Sequence, residues 1–219
     1  MKKILVTGFM PFGGSKTNAS WAVAQRTATQ GSEYGNIVCE EIQVLWHDSY
    51  VEQKDGSTKW YKSTLNYIKD VVEKHNPDCL ICVGEADQFR LECVGRNEAI
   101  AADDNAGKTY VKDQRGTIPL HEGKPYRLYA TFINQIGFFI QEYNNYRSGD
   151  NEKLLFSDDA QGYLCNLALY ESLNNFSDSI PHIGFIHTMN TEKSINGAVT
   201  VIQMIVEKLY KNNQPQPVM

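Results

Sequence analysis

Residues 156–173 read FSDDAQGYLCNLALYESL. A short apolar strand gives way to a polar turn and then to a helix, and Cys165 stands where the helix begins. Asp158, Asp159 and Gly162 are residues of turns and caps. From Tyr163 onward, Leu164, Leu167, Ala168 and Leu173 recur mostly at three- and four-residue steps, the spacing of a helix. A thiol in the first turn of a helix faces the positive end of the backbone dipole, which favours thiolate. Free cysteine is also among the most buried residue types, so packing alone would account for one here. Partners elsewhere in the chain decide between the two.

The same alternation of strand and helix runs outward in both directions. Upstream, residues 3–7 form an apolar strand ending in the loop GFMPFGG, residues 8–14. Residues 20–29 read as a helix and 37–44 as a second strand. Residues 57–75 read as a long helix, with Trp60, Tyr61, Leu65, Ile68, Val71 and Val72 as one apolar stripe. Asn76-Pro77-Asp78 stops it before a wholly apolar strand at 79–83. Residues 91–115 look like strands and loops. Residues 126–143 read as a helix rich in aromatics (Tyr126, Tyr129, Phe132, Phe138, Phe139, Tyr143). A polar loop, 144–151, precedes the short strand 154–156. Downstream come a strand at 183–187 and a helix at 194–210, with Ile195, Val199, Ile202, Ile205, Val206 and Leu209 on one side.

Apolar strands alternating with amphipathic helices indicate a single α/β domain, a three-layer sandwich with a mostly parallel central sheet covered by helices on both faces. The domain is expected over residues 1–211, with 212–219 a flexible tail. Ligands of such sheets bind at the carboxyl ends of the strands. Residues 8–14, the segment after Val83, the turn 158–162 and His187 therefore share one edge.

Composition narrows the partners. A net charge of −5 and a pI near 5.6 speak against nucleic acid or an anionic membrane. No apolar run approaches a membrane span. The start MKKILVTGF is a first strand rather than a signal peptide. Five cysteines without an export signal point to reduced thiols and a cytoplasmic location.

Four features could carry chemistry. His187 closes a strand at the ligand edge; most such histidines are structural, but a cysteine nucleophile needs an imidazole to take its proton and a third group to hold the tautomer. Carboxylates near that edge are Glu85, Glu92, Asp103 and Asp104, and position alone does not choose among them. Cys79-Leu-Ile-Cys82 has the spacing of a metal or redox pair, yet in a strand residues three apart point to opposite faces, so both read as core. The loop GFMPFGG lacks GxGxxG spacing and a GK[ST] ending, which argues against phosphate binding. It offers two rings, Phe9 and Phe12, able to clamp a small flat ligand.

TGFMPFGG with TNASW, LECVGRNEAIAADDN, SDDAQGYLCNLALYESL and GFIH occur in an order that resembles the type I pyroglutamyl peptidases (pyrrolidone-carboxylate peptidases), over nearly the whole chain. The resemblance implies a cysteine exopeptidase on an α/β fold that removes an N-terminal pyroglutamyl residue from peptides. It needs neither cofactor nor metal, and assembly into homo-oligomers is common in the family. It carries the nucleophile to Cys165, the histidine to His187 and the glutamate to Glu92. The aromatic substrate clamp falls on Phe9, Phe12 and Tyr163. The chain departs from the pattern at Met10, where most members have Asp, and at Ile100-Ala101-Ala102 and Thr188-Met189. It also reads GEADQF where bacterial members commonly read GQAGGR, in a loop about three residues shorter. The lactam-recognising glutamine thus lands on Glu85, with Gln88 near enough to substitute; Glu85 is expected to turn outward from the pocket. Two other readings stay open: a family member of weak or altered activity, and a non-catalytic small-molecule binder on the same fold. A nucleoside phosphorylase is a further rival, but this edge is acidic and aromatic rather than basic.

Overall fold

Lys2–Phe9 forms the first strand, β1, in the computed structural model, which describes residues 1–53, 55–111, 116–147, 149 and 153–211, the side chains of residues 138 and 139 excepted. Helix α1 (Ala19–Gln30) follows, then β2 (Gly35–Ile42), the hairpin β3 (Ser49–Glu52) and β4 (Thr58–Tyr61), helix α2 (Thr64–His75) and β5 (Cys79–Glu85). The middle of the chain holds β6 (Arg90–Glu92), β7 (Val94–Arg96), β8 (Ala99–Ile100), β9 (Thr117–Ile118) and β10 (Arg127–Tyr129). Helix α3 (Ile133–Asn145), β11 (Leu155–Ser157), α4 (Leu164–Phe176), β12 (His182–Thr188) and α5 (Glu192–Tyr210) complete it. The expected tail, 212–219, lies outside the described residues.

The central sheet has the order β11-β6-β12-β5-β1-β2. Every neighbouring pair is parallel except β6 and β12. The exception has a physical reason. Residues 86–89 between β5 and β6 are too few for the crossover a parallel return requires, so the chain comes back antiparallel.

Side chains alternate along each strand between two cores, which is the period of two in a sheet covered on both faces. Ile4, Val6, Ile81, Val83 and Ile186 face α1, α3 and α5. Leu5, Leu80, Cys82, Ile183 and Phe185 face α2 and α4. Cys79 and Cys82 fall in opposite cores, both buried and free. Gly184 is required by packing: a Cβ there would meet the Phe132 ring at 2.1 Å.

Two expected helices are shorter than their periodicity suggested. Thr58–Tyr61 is strand, because Gly56 (φ 81°) turns the chain into a hairpin. Trp60 pairs with Tyr50 across that hairpin, ring centroids 4.9 Å apart, and stays half exposed instead of joining the helical stripe. Ser63 then starts α2, its Oγ accepting from Asn66 N–H. Likewise Arg127–Tyr129 pairs antiparallel with β7, and α3 begins only at Ile133. In both places aromatic residues supply a spacing that a helix and a strand-plus-turn satisfy equally.

No helix among the described residues is long and apolar enough to cross a membrane.

Candidate active site

His187, Gly84 and Glu92 all point to the α4 side of the sheet, as the alternation from Phe185, Cys82 and Leu91 requires. His187 lies beside Gly84 in the β12–β5 register and beside Arg90 in the β12–β6 register. Its Nδ1 is 2.7 Å from Glu92 Oε1. Glu92 is wholly buried, and its Oε2 has no hydrogen-bond partner among the described residues. Arg90, two residues earlier on the same face, brings Nε to 3.3 Å from Glu92 Oε1. A buried carboxylate is costly without a cation beside it, and Arg90 provides one.

Cys165 is the second residue of α4. The helix is pinned over the sheet by Asn166, whose Oδ1 accepts from Arg96 N–H and whose Nδ2 donates to the carbonyls of Arg96 and Glu98. The turn before it uses Gln161 (φ 67°) and Gly162 (φ 51°), with Asp159 Oδ1 accepting from Gln161 N–H. Tyr163 occupies the N-cap and its side chain makes no capping hydrogen bond, which leaves the first amides of α4 without a side-chain cap.

The thiol and the imidazole meet over Gly84. A Cβ on Gly84 would lie 2.8 Å from Cys165 Sγ and 3.0 Å from His187 Cδ2. With Nδ1 given to Glu92, Nε2 is the ring nitrogen left to take a proton. Gly84→Ala is therefore expected to push the two groups apart. Loss of kcat by about a hundredfold, for a displacement near 1 Å, is the expected result. Thermal denaturation should register only the overpacking, about 1–3 kcal/mol.

Burial pushes the Cys165 thiol up to about 12; the negative charge of Glu92 adds to this and Arg90 opposes it. The helix end was expected to favour thiolate; burial acts in the opposite direction. Cys82 and Cys93 are also pushed up by burial, each to about 11.

A cavity of about 220 Å³ opens beside Cys165, with Phe9, Phe12, Val44, Glu85 and Tyr163 in its walls. Phe12 and Tyr163 stand 5.4 Å apart, centroid to centroid, at 47°. Tyr163 is backed edge-on by Trp46, and its hydroxyl donates to Asp103 C=O at 2.8 Å. Phe9 is buried; Phe12 is 43% exposed and forms the outer wall. Glu85 belongs to the cavity wall, and its Oε2 accepts from Ala19 N–H, at the start of α1, at 2.6 Å. Gln88 is exposed and outside the cavity wall. Asp104 is taken up by backbone, accepting from Trp46, Ala106 and Lys108 N–H groups.

Sequence reasoning missed Arg90 and Trp46. Arg90 had a signal, since it shares a strand face with Glu92 at a spacing of two. Trp46 had none, because only the fold brings it behind Tyr163.

The family profile described as pyroglutamyl peptidase matches residues 2–211. The chain belongs to the pyroglutamyl peptidase family. Among the family's members, the pyrrolidone-carboxylate peptidase of Bacillus amyloliquefaciens is 30% identical over 195 residues, covering 85% of this chain and 77% of that protein. The crystal structure of pyroglutamyl peptidase I from the same organism superposes with a TM-score of 0.72 at 24% identity, covering 94% of this chain and 95% of that one. Pyrrolidone carboxyl peptidase from Thermococcus litoralis superposes with a TM-score of 0.75 at 20% identity, covering 100% and 99%. The superpositions cover 94% and 100% of this chain, so the fold is shared over nearly its whole length.

Proposed function

We propose that this member of the family is a cysteine exopeptidase that hydrolyses the N-terminal pyroglutamyl residue from peptides through Cys165, His187 and Glu92. The observation that carries the reading is the convergence of Cys165 Sγ and the free edge of His187 over Gly84, with Glu92 on the other ring nitrogen.

His187 takes the thiol proton as Cys165 attacks the carbonyl carbon of the pyroglutamyl residue. Because the thiol is held protonated at rest, transfer and attack proceed together. Glu92 keeps Nδ1 protonated, so that Nε2 is the accepting nitrogen, and it stabilises the imidazolium that forms. The amides without a side-chain cap at the start of α4, including that of Cys165, are the donors for the developing oxyanion. His187 then returns its proton to the leaving amine, and water hydrolyses the thioester. Phe9, Phe12, Val44 and Tyr163 supply flat apolar walls suited to a neutral five-membered ring.

A fluorogenic pyroglutamyl amide tests the reading, with and without prior treatment with iodoacetamide. Turnover that is lost in step with alkylation of Cys165 is the expected result. Full activity with Cys165 alkylated would remove the nucleophile, and no turnover by the untreated protein would remove the reaction.

A further inference from the structure

The cavity beside Cys165 is lined by one carboxylate, Glu85, and by no Lys, Arg or His among the described residues. The rings of Phe9, Phe12 and Tyr163 line the same cavity. The Tyr163 phenol is held neutral, burial pushing its pKa up strongly, so it adds no second charge. Glu85 spends Oε2 on Ala19 N–H, and the N-terminal end of α1 stabilises its negative charge. No second hydrogen bond to Glu85 forms among the described residues.

A lactam ring presents one N–H donor and one C=O acceptor and carries no charge. Glu85 can accept from that N–H but cannot donate to the carbonyl. The side-chain amide of Asn18 gives one N–H to Met10 C=O and the hydroxyl of Ser15 donates to Thr17 C=O, which leaves the second Asn18 N–H and the Thr17 hydroxyl as side-chain donors in the wall. A carboxylate and aromatic rings in one cavity wall are also the chemistry that holds an organic cation. An N-terminal prolyl residue has the same five-membered frame as a pyroglutamyl one. It replaces the lactam N–H by a secondary ammonium and the ring carbonyl by a methylene.

We propose that Glu85 widens the substrate class of this site to peptides whose N-terminal residue is a cyclic secondary ammonium, N-terminal prolyl peptides. The inference rests on the peptidase reading above and adds the charge of the ring. The chemistry is unchanged: an S–C bond forms at the prolyl carbonyl as the C–N bond breaks, His187 delivers the thiol proton to the leaving amine, and water cleaves the thioester to free proline.

The test compares kcat/KM for prolyl and pyroglutamyl fluorogenic amides in the wild type and in Glu85→Gln. The amide oxygen of Gln can still accept from Ala19 N–H, so the variant keeps the local structure. Hydrolysis of both substrates by the wild type is expected, with the prolyl-to-pyroglutamyl ratio falling at least tenfold in Glu85→Gln. Ligand-observed NMR with pyrrolidine, an ammonium at neutral pH, and with 2-pyrrolidone gives a readout without catalysis: Glu85→Gln should lose pyrrolidine and keep 2-pyrrolidone. If the wild type cleaves only the pyroglutamyl amide and binds pyrrolidine no better than the variant, the inference is overturned while the peptidase reading stands. If neither amide is cleaved, the peptidase reading fails alone, and binding of pyrrolidine that depends on Glu85 still supports a cation-accepting pocket. Absence of that binding overturns it.

Discussion

Cys165→Ser is expected to abolish turnover while the fold survives. The exchange is nearly isosteric, at a half-buried position whose helix is held by Asn166 and not by the sulfur. The hydroxyl is far harder to deprotonate than the thiol, and the thiol is already pushed up to about 12. The loss in kcat should therefore reach roughly five powers of ten, comparable to removal of the nucleophile from other triads. Denaturation midpoints should agree between the two proteins. In the wild type, the rate of alkylation at Cys165 should climb with pH without levelling off below about 10, because the thiolate is the reacting form. The sign follows from the direction of the shift: raising the thiol pKa keeps the proton on at neutral pH, so reactivity grows as pH rises. Retained turnover in Cys165→Ser, or labelling of Cys82 ahead of Cys165, would assign the chemistry elsewhere.

Glu92→Gln should lower kcat by about four powers of ten, the scale on which a triad carboxylate acts through tautomer control. An amide nitrogen turned toward Nδ1 would donate to it and so place the ring proton on Nε2. That nitrogen could then no longer accept a proton. Glu92 does not touch the cavity wall, so KM should stay within a few-fold. A kcat within tenfold of the wild type would show that His187 is oriented by something other than Glu92. Arg90 makes the result sharper, since its guanidinium is left without a charge partner when Glu92 is neutralised. A fall in stability together with kcat is expected, and the two are separated by assaying well below the denaturation midpoint.

Which carboxylate reaches His187 illustrates how a local rule acts through the fold. Glu85 follows Gly84 directly, so it must point to the face opposite the one Gly84 shares with His187. That parity is in the sequence, but it acquires meaning only once β5, β12 and β6 are known to be adjacent. The segment order suggests β5 and β12 as separate units and says nothing of β6 inserting antiparallel on the far side of β12. Glu92 is 95 positions from His187 along the chain and 2.7 Å from it in space.

The apolar strands, the amphipathic helices α1, α4 and α5, and the turn that delivers Cys165 were all determined by the sequence alone. They depend on periodicity and turn chemistry within a few residues, which are local. The family motifs added the candidate site residues. Residues 57–61 and 127–129 were misread because aromatic spacing is ambiguous until a partner strand is present: Trp60 has Tyr50, and Arg127–Tyr129 has β7. The hold of Ala19 N–H on Glu85, the thiol pushed up by burial, and the backing of Tyr163 by Trp46 were decided only by tertiary structure. Each depends on what surrounds a side chain in space, and desolvation and through-space contacts have no signature in residue order.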